Sequence, residues 1–240
     1  MGRLYDCLRD SGNAQIVGPR RIGKSSLLRA MERASVGWLR KAAVAWVDMM
    51  DSANHTSAGW FETVALAWKW KIVPVGDAAF SRQLREFTES GFQPVLVLDE
   101  FEKFTALSGE FRLPFFENLR AQTQLSILTA SRVTLDRVRE AGADISPYYN
   151  TFTLIRTGDF TPDEARAFVA KPRAGITPFT PAERDAILAF AAAHPLKLTI
   201  ACDAMLRARR AKRSGESAIA AAQDEWDALK PRGHGEKSAE

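Results

Sequence analysis

A chain of 240 residues, 46% hydrophobic and 26% charged, is long enough for one large domain or two small ones and has a globular rather than a disordered or fibrous composition. No apolar run approaches 18 residues, the polar opening at residues 1–6 is unlike a signal peptide, and Cys7 and Cys202 lie too far apart in sequence for metal-ligand spacing. The net charge of +4 permits contact with nucleic acid without requiring it, and no membrane partner is expected; a reduced, cytoplasmic protein is the simplest reading.

The first apolar run, residues 14–17, reads as a strand. It leads into Gly18-Pro19-Arg20-Arg21-Ile22-Gly23-Lys24-Ser25, a complete GxxxxGK[ST] phosphate-binding loop, and then into a helix-like stretch starting at Ser26 and running to residue 31. Strand, loop and helix in that order are what the motif needs physically. Its glycines let backbone N–H groups turn inward around a polyphosphate, Lys24 brings a positive charge to the terminal phosphates, and the Ser25 hydroxyl can ligate Mg²⁺. Residues 42–47, ending at Asp48, form the second strand, and residues 94–98, ending at Asp99, the third. Both are almost continuously apolar, as strands buried on both faces are. Residues 125–130 form the fourth strand; the fifth, 151–155, alternates more and suits a sheet edge.

Helices fill the intervals. Trp60, Val64 and Trp68 recur at four-residue spacing, a core stripe rather than a base-stacking platform. Residues 80–90 form a helix closed by Gly91, and residues 113–122 form another with Phe115, Phe116 and Leu119 inward. After residue 156 the pattern becomes wholly helical. Thr161-Pro162-Asp163-Glu164 and Thr180-Pro181-Ala182-Glu183 are two capping-box starts, heading helices at 165–170 and 184–193, and a third helix spans 196–210. The expected fold is α/β: a P-loop NTPase with a five-stranded, mainly parallel sheet flanked by helices (residues 1–156), a small all-helical lid subdomain (157–228) and a disordered tail (229–240).

Two strand ends carry chemistry. Asp99 and Glu100 close the third strand at the sheet edge where the loop opens; Asp99 is placed for Mg²⁺ and Glu100 as general base for a water attacking the γ-phosphate. Adjacent strand residues point to opposite sides, which would separate the two carboxylates' tasks. Ser131 and Arg132 close the fourth strand, the serine to orient the attacking water and the guanidinium to detect the γ-phosphate. Separately, Arg207, Arg209, Arg210, Lys212 and Arg213 form a basic cluster, either a solvated helix end or a nucleic-acid contact.

The loop with Ser26-Leu27-Leu28 behind it, the Leu98-Asp99-Glu100 strand end and the Ser131-Arg132 strand end together resemble a STAND-type P-loop ATPase, the signal-transducing branch of the AAA-like superfamily near the archaeal-type ATPases. Residues 146–152 followed by 160–165 resemble the family's link from sheet to lid. His194-Pro195 resembles its Gly-x-Pro element, with Ala192 or Ala193 where the family has glycine; the resemblance assigns Pro195 to the adenine. Gly2-Arg3-Leu4 stands in for an N-terminal Gly-Arg-Glu element. What the resemblance implies is an ATP- and Mg²⁺-binding switch that hydrolyses ATP slowly, working in signalling or assembly with a protein partner or by self-assembly, with Arg120, Arg137 and Arg139 as candidate arginine fingers. The alternatives are a DNA-associated AAA-like ATPase of the origin-recognition or transposition-regulator type, and a nucleotide-holding scaffold without turnover. The sequence shows no winged helix after residue 205, so a minimal ATPase core or a fragment of a larger system is expected.

Overall fold

The computed structural model describes residues 2–38, 41–142, 151–172 and 175–229; the expected linking residues 146–150 and the tail from residue 230 lie outside them. The chain divides into two compact units, Met1–Thr157 and Gly158–Glu240.

The first unit is a five-stranded sheet in the order β2-β3-β4-β1-β5, with every neighbouring pair parallel. The strands are β1 (Ala14–Val17), β2 (Ala42–Asp48), β3 (Gln93–Asp99), β4 (Ser126–Ser131) and β5 (Thr153–Arg156), with β5 at an edge. Parallel neighbours need crossovers, and helices supply them: α2 (Lys24–Trp38), α3 (Ser57–Ala67), α4 (Asp77–Glu89), α5 (Leu113–Ala121) and α6 (Leu135–Glu140).

The two-residue period of β3 explains its unbroken hydrophobicity. Val95 and Val97 face one side, where Leu4, Leu8, Leu28 and Met31 from α1 (Gly2–Arg9) and α2 cover the sheet with Ile16 and Leu128. Leu96 and Leu98 face the other, among Trp60, Phe61, Val64, Trp68, Phe80, Phe115 and Phe116. The aromatic stripe is thus core. Trp60 is wholly buried, its ring 5.0 Å from Phe115 and 5.6 Å from Phe80 in edge-on contacts, and the Trp68 indole N–H donates to the Ala43 carbonyl at 3.0 Å. These rings are packed inward, which excludes them as an exposed stacking surface.

Helix ends follow local chemistry. Past the α4 C-cap at Ser90, Gly91 takes φ +84° and its N–H bonds the Thr88 carbonyl at 2.8 Å. In the second unit Thr161 caps α7 (Pro162–Ala170) and Thr180 caps α8 (Pro181–Ala191), each in a reciprocal box with Glu164 or Glu183. Helix α8 stops two residues short of the expected 193, because Ala192 and Ala193 both take left-handed backbone, φ 46° and 68°. Then α9 (Pro195–Arg210) and α10 (Gly215–Leu229) complete a helical core of Ile187, Leu198, Ile200, Ala201, Met205, Ala218 and Ala222. Three α-helices escape the sequence reading, α1, α6 and α10. Leu4 and Leu8, one turn apart and buried, are the signal for the first; α10 is too rich in alanine for a clear stripe.

Candidate functional site

All five strands run the same way, so their C-terminal ends share one edge. Val17 pairs with Ser131 and with Arg156, and Asp48 pairs with Asp99. The 18–25 loop rises from β1 at this edge and feeds directly into α2 at Lys24. Open parallel sheets bind their ligands at this edge.

Glycine is required twice in the loop. At Gly18 a Cβ would lie 2.2 Å from Thr157 Oγ1 and 2.6 Å from the Thr157 carbonyl oxygen, so only a bare backbone passes between β1 and the end of β5. At Gly23 there is open space, but φ is +95°, a conformation L-residues avoid. The Gly18 N–H donates to the Ser131 carbonyl at 3.2 Å, hanging the loop on the end of β4. Arg20 and Arg21 are exposed, Pro19 is exposed beside them and Ile22 is buried.

Lys24 is buried, and its ammonium donates to the Gly18 and Pro19 carbonyls at 2.9 and 3.0 Å, two of its three protons. Burial lowers its pKa, opposed by the negative charges of Glu100, Glu102 and Asp99. Ser25 Oγ donates to Asp99 Oδ2 at 2.6 Å, across 74 positions of sequence. The other carboxylate oxygen of Asp99 accepts the Glu100 N–H at 3.0 Å, so both oxygens are fixed in direction. Ser26, next in α2, is exposed.

Glu100 departs from the strand geometry expected of it. Its backbone is left-handed, φ 53° and ψ 46°, and the chain enters a 3-10 helix at Phe101–Leu107. The turn, not the alternation of a strand, separates Glu100 from Asp99. A non-glycine residue held this way carries strain of about 1–2 kcal/mol. Glu100 Oε2 is buried with no hydrogen-bond partner, and burial followed by the nearby Glu102 charge raises its pKa. An orphaned acceptor at the edge where the loop opens asks for a donor.

The two residues ending β4 part company. Ser131 is fully buried and its hydroxyl donates to the Val133 carbonyl at 2.5 Å. Its one hydroxyl proton is therefore committed to the turn after β4, while its backbone carbonyl serves the loop. Arg132 reaches Glu102, its Nε donating to Oε1 at 2.5 Å. Glu102 belongs to no motif in the sequence, and the only available signal was its place three residues after Asp99. Arg120, Arg137 and Arg139 are exposed on α5 and α6, with Arg137 paired to Glu140 at 3.1 Å.

The donor set suits Mg²⁺. A hydroxyl and a carboxylate 2.6 Å apart are hard oxygen ligands, and such a site draws its remaining ligands from phosphate and water. Among the described residues no group of three or more His, Cys, Asp or Glu is arranged to hold a metal ion by itself, which this mode of binding does not need.

In the second unit, Pro195 opens α9 behind the N-cap His194, whose Nδ1 accepts the Leu196 N–H at 3.2 Å. The basic cluster divides. Arg207 pairs with Asp203 at 3.2 Å and Glu225 at 2.6 Å. Arg209 binds Glu183 through two nitrogens, donates to the Thr177 and Pro178 carbonyls at 2.8 and 3.0 Å, and sits 5.2 Å from the Phe179 ring centre. These two are committed to the fold. Arg210, Lys212 and Arg213 are exposed, with no ion pair among the described residues.

No family model and no curated protein sequence matches the chain. Solved structures do. The Aeropyrum pernix ORC2 protein, in ADPNP–ADP complexes, superposes with a TM-score of 0.69 at 14% identity, over 94% of this chain and 68% of that one. Drosophila ORC bound to DNA gives 0.65 at 13%, over 95% and 65%. The A. pernix ORC1 protein in complex with DNA gives 0.59 at 17%, over 94% and 64%. This chain therefore spans about two thirds of their length and shares the fold of these ORC proteins. No described helix is long and apolar enough to cross a membrane.

Proposed function

We propose that this chain binds ATP with Mg²⁺ in the 18–25 loop, hydrolyses it slowly, and uses nucleotide occupancy as a switch in a DNA-associated assembly. The contact between Ser25 and Asp99 carries the reading. It joins the two motifs on which phosphoryl chemistry depends, at a distance suited to one shared cation. In this proposal the loop's backbone N–H groups and Lys24 hold the phosphates, and Ser25 and Asp99 hold Mg²⁺. The cation would neutralise phosphate charge. Glu100 takes the proton of the attacking water, which its buried, unpartnered Oε2 and raised pKa favour. Arg132 reads the γ-phosphate.

The DNA-associated reading has more support than the signalling one. The similar structures are origin-recognition proteins, two of them solved with DNA, and Arg210, Lys212 and Arg213 are uncommitted cations. The STAND-type signalling switch rests on the motif resemblance alone. In either case the physics is a difference in ATP affinity between two states of the protein.

Calorimetry on wild type and Lys24→Ala tests the site. Lys24→Ala is expected to lose ATP affinity by about a hundredfold or more, an ammonium–phosphate contact in a buried setting being worth about 3 kcal/mol. Equal affinities would remove the loop from the account. Glu100→Gln is expected to keep ATP binding while phosphate release stops; unchanged release would dismiss Glu100 as the base.

A further inference from the structure

Two features stand beside the phosphate loop: the carboxylate of Glu102, and the way Arg132 is held by one edge. Glu102 lies one residue into the 3-10 helix that leaves β3, its side chain 12% exposed, and accepts from Arg132 Nε at 2.5 Å. The terminal amino groups of Arg132 have no hydrogen-bond partner among the described residues, and the side chain is 43% exposed. A guanidinium has five N–H donors in a rigid plane. Fixing Nε sets that plane; one terminal N–H lies along the anchored edge, and the other three, including the pair that forms the terminal fork, point elsewhere.

The anchor and the guanidinium come from adjacent strand ends, tied to the loop from both sides. Glu102 follows Asp99, which receives Ser25; Arg132 follows Ser131, whose carbonyl receives the Gly18 N–H. The Glu102–Arg132 pair therefore follows the ends of the two strands that hold the loop, at the same sheet edge as the lysine proposed to hold the terminal phosphates. We propose that Glu102 is the positioning residue for γ-phosphate recognition, gripping Arg132 by its Nε edge so that its terminal fork presents two N–H groups to the phosphate. This rests on the proposed ATP site and adds the origin of its preference for ATP over ADP. An arginine free to swing must be ordered when ATP arrives; one already clamped has met that cost during folding.

The test is the ratio of ADP to ATP dissociation constants, measured by calorimetry with Mg²⁺ on the whole chain. Glu102→Ala is expected to lower the ratio about tenfold, through weaker ATP binding with ADP unchanged. Glu102→Gln, whose amide oxygen accepts the same Nε–H bond, should recover most of the loss. Arg132→Ala should lower the ratio at least as far as Glu102→Ala, and the double variant no further than Arg132→Ala alone. Thermal melts check folding, and Glu102→Met, which fills the space without an acceptor, repeats the measurement if the alanine variant does not fold. Equal losses for ATP and ADP, additive losses in the double variant, or a ratio that rises when Glu102 is removed would each overturn the inference. A wild type that binds neither nucleotide would overturn it together with the site; a wild type that binds both, with a ratio indifferent to Glu102, overturns the inference alone.

Discussion

Adding one methyl group at Gly18 would drive it into Thr157, against a backbone carbonyl that cannot turn aside. At Gly23 the same methyl meets open space, and the penalty is conformational, from φ +95°. The two alanine variants should therefore fail differently. Gly18→Ala is expected to lose about 2–3 kcal/mol of stability in urea denaturation, because β1 and β5 must part. Gly23→Ala should lose about 1–2 kcal/mol and bind ATP poorly, because the loop relaxes toward negative φ. Equal destabilisation would mean that the close approach at Thr157 is absorbed elsewhere. Both glycines were legible as motif letters, but the different reasons for them were not. The first depends on a residue 139 positions later by the numbering, the second on a dihedral angle. Ala192 and Ala193 show the reverse case, left-handed residues without glycine, visible in sequence only as an oddity before Pro195.

Among the elements, α8 and α9 are joined by one overworked carboxylate. Glu183 accepts the Thr180 N–H at 2.7 Å as the closing half of a capping box, and takes Arg209 from α9 at 2.7 Å through Nε. The Arg209 hydrogen bonds pull its pKa from 4.5 to about 2. A carboxyl depressed in the folded state stabilises fully above its ordinary pKa, and the contribution drains away as pH falls from about 4.5 through about 2. Glu183→Gln is expected to cost roughly 1–2 kcal/mol at pH 7, read as a lower melting temperature, with the gap to wild type closing toward pH 2. A gap constant with pH would show that the loss does not come from the charge of the carboxylate. The capping boxes could be read from four letters each, because a cap is a local bond. The Arg209 contact joins positions 26 apart across a helix pair, and the same arginine looked in sequence like one of five available for nucleic acid. Strand ends were similarly legible up to Asp99 and opaque beyond it. The left-handed turn at Glu100 decides where Glu100 and Glu102 lie, and nothing in the letters Glu-Phe-Glu announces it.

For the molecule as a whole, the +4 charge matters less than which cations are free. If duplex DNA is a partner, Arg210, Lys212 and Arg213 are the residues of the cluster available to phosphates. Replacing the three with alanine is expected to flatten the salt dependence of DNA binding, by about 0.9 in the log–log slope for each phosphate no longer neutralised. Fluorescence anisotropy across a range of salt concentrations measures it. Arg207→Ala should lower stability instead, since it breaks the pairs with Asp203 and Glu225. A slope unmoved by the triple substitution would take this end of α9 out of any DNA interface.

Trp226 is the single tryptophan of the second unit, the other five lying before residue 158. Its indole meets the His194 imidazole edge-on at 5.1 Å, and the Lys197 ammonium stands 5.0 Å from its ring centre. Both neighbours flank Pro195, so the colour and brightness of this one fluorophore report on the start of α9. Subtracting the spectrum of a Trp226→Phe protein isolates that signal from the remaining indoles. The fold thus carries its own optical gauge of the proline that the resemblance assigns to adenine, readable in solution without attaching a dye.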